Sequence, residues 1–272
     1  MCVAGDFHFE SALASFDWAI DIRVRASDFM RDETSGVPDQ TGRDAEGALE
    51  SAARDLRAVP RPVGSIPTRE REILRGRQTR DLLAWSRENS CVIEPAKYSA
   101  VAQRGGEEHR IWPAADRRRI FKATYAGAFG FSAVCNEATG WQPELTGGLP
   151  LEYLERLLLQ NQIFGDAIRL EGVAVEAGGA VLVTSQPTLI GQPVEAAEFI
   201  EFMRRLWFQP LRGLSLGNPG SLAFYRDLDE VAAFDAHPAN FVKDHEGIIL
   251  PIDLILVRAD GALQTALARY LS

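Results

Sequence analysis

Three oxygen-bearing side chains in the last third of the chain have types and spacing suited to phosphate chemistry. They are Asp235, Asn240 and Asp253, in the string Phe234-Asp235-Ala236-His237-Pro238-Ala239-Asn240 and its continuation to Leu250-Pro251-Ile252-Asp253. Asp235 and Asn240 are five positions apart, and Asn240 and Asp253 thirteen. Phosphoryl transfer needs a carboxylate to orient or deprotonate the acceptor, and hard oxygen ligands to hold Mg²⁺ against the phosphates. An Asp on a loop, an Asn one turn later and an Asp beyond a short hairpin supply that set, and Pro238 stiffens the loop. Asp and Asn also favour ordinary turns beside proline, so the spacing gains its weight from the parts upstream.

The elements that must position the three residues can be read around them. Phe241-Val242 and Ile248–Ile252 form a hairpin around the His245-Glu246-Gly247 turn, and Leu222–Tyr225 and Val231–Phe234 are short strands. Glu195–Trp207 is an amphipathic helix, entered from a Pro- and Gly-punctuated connector, Ser185–Pro193. Upstream, Ile168–Val175 and Ala180–Thr184 are strands joined by the Glu176-Ala177-Gly178-Gly179 turn. Pro150–Phe164 is a helix with proline in its first turn and Leu151, Leu154 and Leu158 on one face. Arg118–Ala126 and the two arms of Val101–Trp112 read as further strands, preceded by a helix from about Thr68 that carries Leu74, Leu82 and Trp85. The order is α+β, with no βαβ alternation.

Further positions fall in order with the trio. Lys122 closes the strand-like run Arg119-Ile120-Phe121-Lys122. Glu152 and Glu155, on adjacent turns of helix 150–164, are the candidate ion-pair partners for it; pattern alone does not choose, and Glu155 is preferred. Gln186 lies in the connector, where backbone groups would read a base. Gly105 and Gly106 permit close backbone approach to a phosphate, although Glu107 and Glu108 would repel one unless they meet a metal or a basic group. The D-x-x-x-x-N spacing is that of the kinase catalytic loop, and the strand lysine that of the V-A-I-K strand.

From about Arg69 to Ser272 the chain therefore resembles the protein-kinase-like superfamily in a small, divergent form. More narrowly it looks like the kinase domain found in polyvalent proteins of bacteria and their mobile elements, on the strings GGEEHRIW, RRIFKAT, YLERLLLQNQIFGDAIRLEGV, LVTSQPTLIGQP and DAHPANFVKDHEGIILPIDLI. The resemblance implies an ATP-dependent phosphotransferase on a two-lobed fold, with residues 67–184 as the N-lobe and its preceding helix, 185–193 as hinge and 194–272 as a reduced, truncated C-lobe. It implies that Lys122 holds phosphates, Asp235 is the catalytic base, and Asn240 and Asp253 bind Mg²⁺. Asp235 follows Ala233-Phe234 rather than His-Arg, and Asp253 precedes Leu254-Ile255 rather than Phe-Gly. That is closer to the loop of small-molecule and antibiotic kinases, so the acceptor stays unassigned. The alternative is a kinase-like module that binds a partner without catalysis.

Bulk composition narrows the field further. A formal charge of -9 argues against general binding to nucleic acid, which needs clustered Lys and Arg. Cys2, Cys91 and Cys135 form no metal-ligand spacing and suit a reducing compartment. No apolar run is long enough for a bilayer, and the first residues lack the pattern of a signal peptide, so a cytoplasmic protein without membrane contact is expected. Residues 1–66 read as a mostly disordered extension, because Arg31–Ser65 holds few large apolar residues. A short charged helix is conceivable within it from Ala45.

Overall fold

A computed structural model describes residues 45–58, 66 and 68–271. Helices α1 (Ala45–Arg57) and α2 (Thr68–Glu88) lead into strands β1 (Gln103–Arg104), β2 (His109–Pro113) and β3 (Arg119–Thr124), then a hairpin of β4 (Phe131–Val134) and β5 (Glu144–Gly147). Helix α3 (Pro150–Phe164) comes next, followed by β6 (Arg169–Glu176) and β7 (Gly179–Pro187). The remainder is β8 (Gln192–Pro193), α4 (Ala196–Arg205), β9 (Gln209–Pro210), β10 (Leu222–Arg226), β11 (Val231–Ala236), β12 (Phe241–Lys243), β13 (Ile249–Pro251), β14 (Ile255–Arg258) and α5 (Gly261–Leu267). Among the described residues no helix is long and apolar enough to cross a membrane.

The first sheet has the strand order β1-β2-β3-β7-β6, all antiparallel. Strand β7, paired on one side with β3 and on the other with β6, carries the run Ala180-Val181-Leu182-Val183, which is buried on both faces, as a strand covered on two sides must be. Alternation divides that run. Ala180 and Leu182 enter the core beneath the helices, with Leu82, Trp85, Leu151 and Leu154; Val181 and Val183 enter a second core with Tyr98 and Ala123. A second sheet runs β14-β11-β10-β9 and a third β13-β12-β8.

Helix α1 belongs to the body, which corrects the expected boundary at residue 66. Leu49, Ala52, Ala53 and Leu56 recur at helical spacing, share one face and are fully buried. That face meets α2, α3 and β6. The indole of Trp85 donates to Ser51 Oγ at 3.2 Å, and Arg57 pairs with Glu155 at 3.0 Å. The expectation for residues 1–44 and 59–65 lies outside the described residues.

Two further boundaries move. The expected hinge at 185 falls inside β7, which stays paired with β3 through Pro187, so the connector between β7 and β8 is only 188–191. The β4–β5 hairpin, which sequence reading did not identify, falls within the expected N-lobe bounds 67–184, yet Ala133 and Cys135 enter the core formed by Phe234, Ile255 and Leu263. Helix α3 lies between the cores: Leu151, Tyr153 and Leu154 enter the first, and Leu159 joins Phe199, Phe224 and Phe241.

Candidate functional site

Strand β11 ends in the residue of most interest. Asp235 has φ 58, a left-handed conformation that only a minority of residues other than glycine adopt, Asp and Asn among them. Two neighbours hold it there. Its backbone N–H donates to Leu216 O at 3.0 Å, and its Oδ1 accepts from the Asn218 backbone N–H at 2.7 Å. The loop wraps so closely that a Cβ built on Gly217 would lie 2.3 Å from Asp235 Oδ1, and Gly217 itself has φ +105, so glycine is required twice over. Asn218 Nδ2 lies 2.8 Å from His237 Nε2, and His237 Nε2 is 3.8 Å from Asp235 Oδ2.

Pro238 then opens a single 3₁₀ turn, Pro238–Asn240, that delivers Asn240 into a buried position. The Asn240 amide nitrogen donates to Asp235 O at 2.9 Å, Asp253 O at 3.3 Å and Asp235 Oδ2 at 3.4 Å. All three neighbours are acceptors, so the NH₂ end must face them. The carbonyl oxygen Oδ1 is thereby turned away from them, as a hard ligand for a cation. The hairpin β12–β13 brings Asp253 back, with the Ile252 N–H donating to Asn240 O at 2.9 Å.

Strand β3 faces this unit. Lys122 Nζ donates to Ile252 O at 3.3 Å and lies 3.9 Å from Asp253 Oδ1. Helix α3 contributes Arg156 in place of the expected glutamate. Arg156 Nη2 donates to Asp253 Oδ1 at 3.3 Å, Nε donates to Leu254 O at 2.9 Å, and Nη1 donates to both Glu108 oxygens at 3.0 and 2.8 Å. Neither candidate glutamate is found with Lys122. Glu155 pairs with Arg57, and Glu152 pairs with Arg71 at 2.7 Å while accepting from the Leu149 N–H at 2.9 Å at the start of its own helix. Consecutive helical residues point about 100° apart, so the turn that carries Glu155 outward carries Arg156 in.

The contacts of Gly105 and Gly106 are local: a Cβ on Gly105 would meet Ile111, and Gly106 O accepts from the Tyr125 hydroxyl at 3.0 Å. The turn's next residues, Glu108 and His109, are the ones that converge with Asp253, their ligand atoms all within 4.8 Å of one another. Glu108 does meet the basic group that its position required. Gln186 lines the inner cleft together with His109, Lys122, Thr184 and Asp253; the cleft encloses about 20 Å³, space for a single water. A wider groove of about 810 Å³ lies between connector 188–191 and hairpin β12–β13, lined by Ile190, Val242 and Leu250.

Electrostatics follow from burial and partners. Burial raises the Asp235 carboxyl above the usual carboxylate range, against the Asn218 backbone bond that lowers it. Burial would raise Asp253 too, but the basic groups around it, Lys122 foremost, together outweigh it and hold the group below that range. Glu108 is raised by burial despite Arg156. His109, fully enclosed, is pushed down to about 3 and is therefore a neutral imidazole, its Nε2 2.8 Å from the Tyr153 hydroxyl and its Nδ1 buried without a partner.

Comparison of the chain with family models, curated proteins and solved structures returns no match. The site therefore stands on its geometry. It gathers a base-like carboxylate, an amide oxygen, a low-lying carboxylate and an ammonium. Sequence reading named four of these (Asp235, Asn240, Asp253 and Lys122), weighed Glu108 only as a residue in need of a metal or a basic partner, and missed Arg156 and Asn218. The signal for Arg156 was a charged residue inside the leucine-rich stripe of a helix.

Asp166, just past α3, adds a pH-sensitive group. Burial pushes its carboxyl up to about 6, against the Gln160 amide, whose Nε2 donates to it at 2.6 Å. The fold favours the protonated form, so between about pH 4 and about pH 6 the native chain binds more protons than the unfolded one, and this contribution to stability falls as pH rises. Asp166→Asn is expected to remove that slope, measured as the difference in urea midpoint between about pH 4.5 and about pH 7. An unchanged slope would assign the pH dependence elsewhere.

Proposed function

We propose that the chain is a phosphotransferase that moves the γ-phosphoryl group of ATP to an acceptor, on a kinase-like fold of the kind carried by bacterial polyvalent proteins. One observation carries the reading: Asn240 ties Asp235 and Asp253 into a single hydrogen-bonded unit, opposite a strand lysine 3.9 Å from Asp253. The strand order β1-β2-β3-β7-β6, with α3 between β3 and β6 in the chain, is consistent with a two-lobed kinase-like arrangement in which sheets on either side of α3 hold the nucleotide.

Asp235 takes the proton of the acceptor hydroxyl as its oxygen attacks the γ-phosphorus, and ADP leaves through the β–γ bridging oxygen. The raised pKa of Asp235 makes it a better proton acceptor than a free carboxylate. Lys122 holds phosphate oxygens by charge. Asn240 Oδ1 and Asp253 supply the hard oxygens suited to Mg²⁺, which when bound would neutralise charge on the phosphates. The base would lie against Val242 and Leu250 in the wide groove, with connector backbone at its edge.

A second reading, a kinase-like module that binds without catalysis, is favoured by the narrowness of the inner cleft at about 20 Å³. Nucleotide binding separates the two. ADP with Mg²⁺ at saturation is expected to stabilise the chain by about 2–4 kcal/mol, seen as a rise in melting temperature. No shift with ADP or ATP would rule out the phosphotransferase.

A further inference from the structure

Arg156 occupies the centre of the candidate site, and its contacts are uneven. The side chain is 6% exposed, and burying a guanidinium requires that its charge and donors be met. Glu108 meets them with two oxygens at 3.0 and 2.8 Å, whereas Asp253 offers one oxygen at 3.3 Å. One guanidinium is thus shared by two carboxylates, and the carboxylate suited to a cation has the weaker share. The converging atoms of Glu108, His109 and Asp253 could be read as a ligand set of their own. Both Glu108 oxygens already accept from Arg156, however, and the Tyr153 hydroxyl sits at His109 Nε2. The charge bonded to both carboxylates is the arginine.

A divalent cation on Asp253 would meet the charge of Arg156, 3.3 Å from Oδ1, in addition to that of Lys122 at 3.9 Å, and in a partly buried site that repulsion is large. We infer that Arg156 is a positioning residue that stands on Asp253 in place of a divalent cation and withdraws onto Glu108 when the cation arrives. Nε, bonded to Leu254 O at 2.9 Å, serves as the pivot, so the exchange requires only that Nη2 let go. Glu108 sets how readily Asp253 is released. The inference deepens the phosphotransfer reading and rests on it.

The test is a double-mutant cycle read in cation affinity, with Mn²⁺ as probe on the full chain, alone and with ADP, followed by electron paramagnetic resonance. Glu108→Gln removes the carboxylate that receives the guanidinium, so Arg156 stays on Asp253 and Mn²⁺ binding is expected to weaken about tenfold. In an Arg156→Met background the same change is expected to alter affinity less than about twofold. Should Arg156→Met fail to give a cooperative melt, Arg156→Lys, too short to bridge both carboxylates, serves as the background with the same criterion. A loss of equal size in both backgrounds would mean that Glu108 acts on the cation directly and would overturn the exchange, as would no loss in either. A wild-type chain that binds no Mn²⁺, with or without ADP, would instead remove the phosphotransfer reading itself.

Discussion

Asp235→Asn is expected to lower phosphoryl transfer by about 10²–10⁴-fold, the span general-base catalysis supplies, while ADP affinity changes by less than about twofold. The substitution separates chemistry from fold at this position, losing only the long contact in which Asn240 Nδ2 donates to Oδ2 at 3.4 Å. Asparagine tolerates the left-handed backbone found at φ 58. Its carbonyl oxygen can still accept from the Asn218 backbone N–H, now at 2.7 Å to Oδ1. What it cannot do is take a proton at pH 7. Transfer is measured as Mg²⁺-dependent release of ADP from ATP, and binding by calorimetry. Equal turnover in wild type and variant would strike Asp235 from the role of base, and lost ADP binding would mean that the carboxylate serves the fold instead.

The second large effect concerns α1. Leu56→Ala is expected to destabilise the chain by about 2–5 kcal/mol, the transfer and cavity cost of a buried leucine, or roughly 4–20 °C in melting temperature for a body of this size. Leu56 has no exposed surface and lies in the same core as Trp85, Leu154 and Leu182. A helix loosely tethered to the surface would lose no more than about 0.5 kcal/mol. A loss that small, measured by urea denaturation, would detach residues 45–57 from the core.

Local signals explain what could be read from sequence. Helix 150–164 was found residue for residue, because Pro150 marks its start and the leucines repeat at helical spacing. The Asp235–Asn240 turn was visible for a similar reason: a short polar string with proline ends an apolar strand. Helix α1 was read as a short charged helix from Ala45, but its place in the core was masked by its composition. Its buried face rests on two leucines and two alanines, and Ala52 and Ala53 carry little hydrophobic signal although they let α3 and β6 approach closely. Strands β4 and β5 are four residues each, too short for alternation to register. The Arg156–Glu108 pair spans 48 positions, and nothing in either local sequence names the other partner. Glu155, preferred by pattern, differs from Arg156 by one step on the helix, a distinction periodicity cannot draw without knowing what packs on each side.

The strand order of the first sheet has a consequence for the growing chain. Strand β3 is made early and gains β2 at once, but its other neighbour, β7, is separated from it by residues 125–178. At ribosomal rates of about 5–20 residues per second, that edge waits several seconds with its N–H and C=O groups unpaired, open to a strand from another nascent chain. Arg119 and Lys122 stand on the waiting strand. In the finished fold they meet Ser185 and Asp253; on an unpaired edge, charges of this kind disfavour pairing with a foreign strand.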